Sequence, residues 1–279
     1  MEFLYREDAP FSAALWDKID TVVVNTAKQV LIGRRFIHIY GPLGAGAQSV
    51  ILDGFETGAG AETDFFGDGE AAAIKVSSRR HVEIPMLYKD FALAWRDLEN
   101  SRQFNLPLDL SAVAAAAAIC AKKEDDLIFN GNAALGYEGL LNAKGTNRLP
   151  KGDWNEGANP FADVAKGIEC LTAQGFANDF VLVVSPDLYA QMQRLQPGLG
   201  LLEIDRVKSL VGGSVYQTTA LGSGQAVLLS AELRNVDLAI GQDMITAYLG
   251  PDKMNHALRV FETALLRIKN PKAIVVFAA

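Results

Sequence analysis

His38, His81 and His256 are the chain's three histidines, and no two lie near each other in sequence. No HExxH, CxxC or mixed Cys/His spacing accompanies them, so no metal-ligand set is legible. The run Gly41-Pro42-Leu43-Gly44-Ala45-Gly46 is glycine-rich. No Gly-Lys-Ser/Thr follows it and the third glycine of a dinucleotide fingerprint is missing, so it is not expected to cradle phosphate. Gly222-Ser223-Gly224 lacks the spacing and the strand-to-helix setting of a nucleophile elbow. Glu124-Asp125-Asp126 is a dense carboxylate run beside Lys122 and Lys123. On a helix only residues three or four apart share a face, so the trio points in different directions and reads as a solvated or intersubunit ionic surface. No catalytic residue and no metal site is therefore assigned, and the chain is not expected to be an enzyme. A site assembled from distant residues leaves no such trace.

The elements that would position any site are clearer. Ser12 is placed to cap a helix in which Leu15, Trp16, Ile19, Val22, Val23 and Ala27 recur at helical spacing up to Val30 and Leu31. Gly33 stops it, and Arg35 to Tyr40 reads as a strand before the Gly41-Pro42 turn. Asp109 or Ser111 begins the longest helix, which ends at Asn130-Gly131. About 20 residues at 1.5 Å rise make a rod of about 30 Å. Ala114 to Ala118 leave its surface smooth for close approach. A further helix is expected from Phe161 to about Gln174, a buried strand at Phe180 to Val184, and a helix opened by Pro186. Strands follow at 226–229, 236–240, 245–249, 258–269 and 273–277. The fold class is α+β.

One stretch stands apart. No Lys or Arg occurs between Ile51 and Ile74, where Gly, Ala, Asp and Glu dominate. Such a segment buries little core by itself, and the partly alternating run Ala73 to Ile84 reads as the returning arm of a long hairpin. A hairpin with two polar faces is marginal alone and needs a neighbour to pack on, which points to an obligate assembly.

Composition sets the limits. Of 279 residues, 49% are hydrophobic and 21% charged, the balance of a soluble globular protein. The net charge of −7 argues against a nucleic-acid backbone as principal ligand, which needs a concentrated cationic face. The short basic pairs Arg34-Arg35 and Arg79-Arg80 read as solvated or salt-bridged. Two distant cysteines, Cys120 and Cys170, make no secreted disulfide framework. The acidic start Met1 to Asp8 lacks the basic region of a signal peptide, and the apolar run Leu108 to Ala121 is too short to span a bilayer. A cytoplasmic protein with no membrane partner is expected.

Several blocks, taken together and in order, resemble the encapsulin shell family. Met1-Glu2-Phe3-Leu4, Ala9-Pro10 and Trp16-x-x-Ile19-Asp20 match its N-terminal arm and helix. Leu31-Ile32-Gly33-Arg34-Arg35-Phe36 with Tyr40-Gly41-Pro42-Leu43-Gly44-Ala45-Gly46 is the most family-like block. Ile84 to Phe91, Trp95 to Glu99, Glu124-Asp125-x-x-Ile128-Phe129-x-Gly131, Gly136 to Leu140, and Met254-Asn255-His256 with Leu265 to Pro271 complete the set.

The resemblance implies the HK97-type fold of tailed-phage capsid proteins. It places a P-domain at 1–50, 85–140 and 225–279, with the spine helix at 109–130, an extended E-loop at 51–84 and an A-domain at 141–224. It implies a homo-oligomeric icosahedral cage that encloses a cargo enzyme, often a ferritin-like iron oxidase serving iron storage or a dye-decolourising peroxidase. Cargo docks through a short targeting peptide on the lumenal wall, which here implies Leu31, Ile32, Arg34, His38, Leu238, Ile240 and Asp243. His38 departs from the family pattern and changes the charge that the docked peptide meets. Leu195, Pro197, Gly198, Leu199, Gly200 and Leu201 would surround a fivefold pore. No cofactor is required, although some members bind flavin at an exposed Trp in the block that here holds Trp95. The alternatives are a phage-type major capsid protein and a small soluble hydrolase, since relatives have been labelled bacteriocins or proteases.

Overall fold

The computed structural model describes residues 2–56, 61, 63, 65–66, 73–196 and 200–278. Helix α1 (Ala13–Val30) starts where the Ser12 hydroxyl accepts the Leu15 N–H at 3.2 Å. Its buried face, Trp16, Ile19, Val23 and Ala27, keeps the spacing of three and four that the sequence predicts. A single 3-10 turn, Gly33–Arg35, follows, and only Ile39–Tyr40 (β1) is strand. The expected strand over 35–40 is thus mostly a turn. Asp125 draws the Ile32 and Gly33 N–H groups inward and bends the chain before it can extend.

Strands β2 (Ser49–Glu56) and β3 (Lys75–Glu83) pair antiparallel as a two-stranded sheet, as the hairpin reading expects. Strand β4 (Met86–Leu93) leads into helix α2 (Trp95–Phe104) and then helix α3 (Ser111–Asn130). Asp109 Oδ1 accepts from the Ser111 N–H and hydroxyl at 2.8 and 2.5 Å, which orders the entry to α3. Gly131 closes α3 at φ 67°, and a Cβ there would meet Tyr137 O at 2.4 Å, so only glycine fits.

The remaining elements are β5 (Asn147–Pro150), α4 (Asn159–Ala173), β6 (Phe180–Val184), α5 (Pro186–Gln191), α6 (Glu203–Leu210), β7 (Val215–Gln217), β8 (Ala226–Ser230), β9 (Val236–Ile240), β10 (Ile245–Asp252), β11 (Asn255–Ile268) and β12 (Ile274–Ala278). One five-stranded sheet runs β1-β9-β11-β10, with β4 on the other side of β11's first half. The other runs β5-β12-β8-β6-β7. Because β8 and β12 lie in one sheet with β6, the expected boundary at 224/225 cuts through a continuous sheet.

Helix α3 is the spine. From Cys120 onward it buries Cys120, Ala121, Glu124, Asp125, Leu127, Ile128 and Phe129, more than one face's worth. The small side chains of Ala116 and Ala117 let α1 approach, and Val113, Ala116, Ala117 and Cys120 share a core with Trp16, Ile19 and Val23. A second core joins α3 to β9 and β11 through Phe129, Leu238, Ile240 and Leu266. A third fills the β6-β8-β12 sheet under α4 and α6, around Trp154, Leu171, Leu182 and Phe277.

Candidate functional site

The densest polar cluster is built on Arg34. Its Nε and Nη2 meet the Glu124 carboxylate at 2.9 and 2.6 Å. The same Nη2 lies 2.6 Å from Glu262 Oε2, and Nη1 lies 2.7 Å from Asp243 Oδ1. Four separate elements meet here: the 33–35 turn, α3, β11 and the loop after β9. Glu124 and Glu262 have no solvent exposure, whereas the Asp243 side chain is 63% exposed.

Burial dominates the electrostatics. It works against the Arg34 charge, but hydrogen bonding to Glu124 and the fields of Glu124 and Glu262 prevail and push its pKa up. Burial, then the Glu124 charge, push Glu262 well above the usual carboxylate range. Burial also pushes Asp125 up to about 6, although the N–H groups of Gly33 and Ile32 pull the other way. Cys120, one turn before Glu124, is pushed up to about 12, first by burial and then by the Glu262 charge. Glu124 and Asp125 are therefore internal groups, and the expected solvated or intersubunit surface survives only at the exposed Lys122 and Lys123 with Asp126 beside them.

The residues expected to bind a cargo peptide divide into two groups. Leu238 and Ile240 are 0% and 2% exposed, inside a five-residue strand buried along its whole length. Leu31 is also buried, packed with Ala27 and Ala121. These three offer no open surface, because Leu238 and Ile240 pack in one core with Phe129 and Leu266 while Leu31 is closed in by α1 and α3. A charge at Ile240 would thus disrupt the core. Ile32 is half-buried, Arg34 carries the cluster, and His38 and Asp243 reach solvent. A groove of about 530 Å³ opens beside Ile32, walled by Val30, Lys122, Asp126 and residues 217–220. Of the seven expected residues, only Ile32 lines it.

Of the expected pore residues, Pro197, Gly198 and Leu199 lie outside the described residues. Leu195 and Leu201 are exposed, and the chain doubles back there: Leu195 bridges Leu202 and the Gln196 N–H reaches Leu201 O at 2.8 Å. Gly200 holds a φ of 65° beside this ladder. Trp95 opens α2, partly exposed, at the meeting of two grooves. The larger, about 750 Å³, is also lined by Phe11, Leu15, Leu98, Met254 and His256. Among the described residues no group of three His, Cys, Asp or Glu is placed to hold a metal, and no helix is long and apolar enough to cross a membrane.

The β2–β3 hairpin is rooted firmly and then leaves the body. At its base Val50 packs with Ala239 and Leu265, and Arg267 donates to Ile51 O at 3.2 Å while bonding Asp237. Further out, Ile51 and Phe55 on β2, Val76 on β3 and Ile74 just before it are exposed. Along β3 only Val82 is even half-buried. Among the described residues no further strand pairs with β2 or β3, and these apolar side chains face solvent.

Comparison with known proteins bears on these features. The family model for an encapsulating protein for peroxidase matches residues 1–265. A type 1 encapsulin shell protein of Myxococcus xanthus is 42% identical over 273 residues, covering 98% of this chain and 95% of that protein. Among solved structures, a virus-like particle from Pyrococcus furiosus superposes with a TM-score of 0.77 at 20% identity, covering 95% and 99% of the two chains. The capsid of the myovirus XM1 superposes at 0.65 with 16% identity, covering 88% and 90%. The fold is the HK97-type capsid fold, as expected.

Proposed function

The chain belongs to the encapsulin shell family, and on that premise we propose that it is a structural subunit that self-assembles into an icosahedral cage around a cargo enzyme. The β2–β3 hairpin carries this reading. It exposes Phe55 and Val76 on a two-stranded sheet, with Ile74 beside it, that no other described strand joins, and a neighbouring copy in a closed shell supplies the cover. The particle is cytoplasmic, and any chemistry inside it belongs to the cargo. A ferritin-like oxidase or a peroxidase is the class of cargo proposed.

The cargo peptide docks where Ile32, Arg34, His38 and Asp243 reach the surface, with Leu31, Leu238 and Ile240 as the rigid apolar backing. Asp243 is the exposed member of the Arg34 cluster, so it is the one carboxylate a peptide can approach. Leu195, Gly200 and Leu201, with Pro197, Gly198 and Leu199, are the residues proposed to surround the pore. No cofactor is required. If flavin binds, the exposed Trp95 face and its groove of about 750 Å³ are the place with the size for it, and the absorbance of purified particles tests this.

The test of the function is co-expression with a peroxidase or ferritin-like protein, with and without its terminal targeting peptide. Co-purification of cargo with large particles only when the peptide is present supports the reading. Particles that never retain tagged cargo would overturn cargo enclosure and favour a phage-type capsid role.

A further inference from the structure

We propose that residues 2–9 are a strap, pinned by Arg6 across the outer edge of β10, that denies this edge to a second copy of the chain. The inference concerns one sheet of the subunit and stands whether or not cargo docks as described above.

The edge needs a guard. Strand β10 pairs with β11 on one side, and among the described residues no strand pairs with it on the other. From Met244 the chain runs Ile245-Thr246-Ala247-Tyr248-Leu249, six residues in all with no charge, proline or glycine. A short uncharged run of β-branched, aromatic and aliphatic residues at an open edge is the pattern that joins chains strand to strand. The outer half of β10 protects itself. The register slips between Tyr248 and Gly250, and Pro251 and Asp252 follow in solvent, so a bulge, a proline and a charge interrupt any partner there. Between Ile245 and Tyr248 the strand has no such device of its own.

The strap covers that stretch. Arg6 Nε donates to Thr246 O at 2.9 Å, so Thr246 turns its backbone groups to the edge that β11 leaves free, and one acceptor there is taken. The rest of the guanidinium is anchored on α1. Its Nη1 and Nη2 donate to the two oxygens of Asp20 at 2.8 and 2.6 Å, and the group lies 4.6 Å from the centre of the Trp16 ring. The chain bends at Tyr5, whose φ of 49° separates two 3-10 turns, Glu2–Leu4 and Arg6–Asp8. Before the bend Leu4 is buried with Ala247 and Phe261, and the Phe3 ring meets Phe261 edge-on at 6.4 Å. After it Ala9 and Phe11 share a core with Trp16 and Tyr248. Ala247 and Tyr248 are consecutive in β10 and point to opposite faces of the sheet. The strap thus crosses the strand from one face to the other, and Arg6 holds it at the crossing.

Loss of the pin opens the edge rather than the fold. Trp16, Ile19 and Val23 keep α1 on α3 without it, whereas the strap before Arg6 is held through Phe3 and Leu4. Arg6 and Asp20 are both part-exposed, so water replaces either in the other's absence and no charge is stranded.

The test is refolding of the purified full chain from urea by dilution, with thioflavin T fluorescence and the pelleted fraction as readouts of strand-to-strand joining. The wild type is expected to refold into soluble material. Arg6→Ala should raise both readouts about fivefold or more, and adding Leu249→Lys, which sets a charge on the exposed end of the same edge, should return them to the wild-type level. Should Arg6→Ala fail to fold, Leu4→Ala frees the same strap from its far end and carries the test with the same second change. Soluble Arg6→Ala chains with no thioflavin T signal would overturn the strap. So would a pellet that Leu249→Lys leaves undiminished, because one charge at this edge does not rescue a merely weakened fold.

Discussion

Two arginines of this chain grip carboxylates in nearly the same way, yet they sit in opposite surroundings. Arg34 meets Glu124 with contacts of 2.6 to 3.0 Å in the core, and Arg79 meets Asp53 at 2.8 and 2.9 Å across the solvent-exposed hairpin. Geometry alone would rank the two pairs as equals. Burial separates them, because a charge cut off from water depends wholly on its partner, whereas an exposed pair is screened and replaceable by water. The contrast extends to the regions that hold them. The body closes its charges in internal circuits, Arg34 with two buried glutamates and Arg267 with Asp237. The hairpin leaves apolar side chains in solvent, the surface that the proposed shell would set against another copy.

The largest expected effect breaks the buried side of this comparison. Arg34→Ala strands Glu124 and Glu262 without a counter-charge and should cost about 3–5 kcal/mol, read as a lowered urea midpoint or loss of soluble protein. An unchanged midpoint would mean that both glutamates find water, and the cluster would then resemble the hairpin pair. A smaller effect is expected from Asp125→Asn. The folded value of Asp125, about 6, lies above its ordinary 3.8, so its stabilising contribution is complete below pH about 4 and is lost as pH rises through 6. Over that interval the wild type should lose on the order of 3 kcal/mol that the variant does not lose, at 1.36 kcal/mol per pKa unit. Parallel stability curves from pH 4 to 7 would contradict this. The smallest effect is expected from Arg79→Ala, which should leave the unfolding midpoint of the subunit unchanged. A clear drop would show that the hairpin pair bears load within one chain.

Much of the fold was legible because local signals agreed with tertiary demands. Ser12 and the Trp16/Ile19/Val23 spacing define α1, and Gly131 ends α3 where the sequence places its stop. The hairpin was legible from what it lacks, a stretch without cations or a core of its own. Glu124 and Asp125 were read as surface because carboxylates are seldom buried unless paired, and their partners lie about 90 residues away. One signal was available: Glu262 is the one acid between Leu258 and Ile268, flanked by Phe261 and the apolar run Ala264 to Leu266, and a buried acid in such a strand calls for a cationic partner. Leu238 and Ile240 show the converse limit. An apolar residue in a strand reads the same whether it backs a docking surface or fills a core, and only what packs on its face, here Ile128, Phe129 and Leu266, decides.

The most direct measurement of the central claim is the size of the purified chain in solution, by size-exclusion chromatography with negative-stain electron microscopy at micromolar concentration. Closed, uniform icosahedral particles are the expected result, with the β2–β3 hairpin of each subunit lying against a neighbour. A stable monomer or dimer would contradict the account, because the exposed hairpin would then have to persist without the cover that assembly provides.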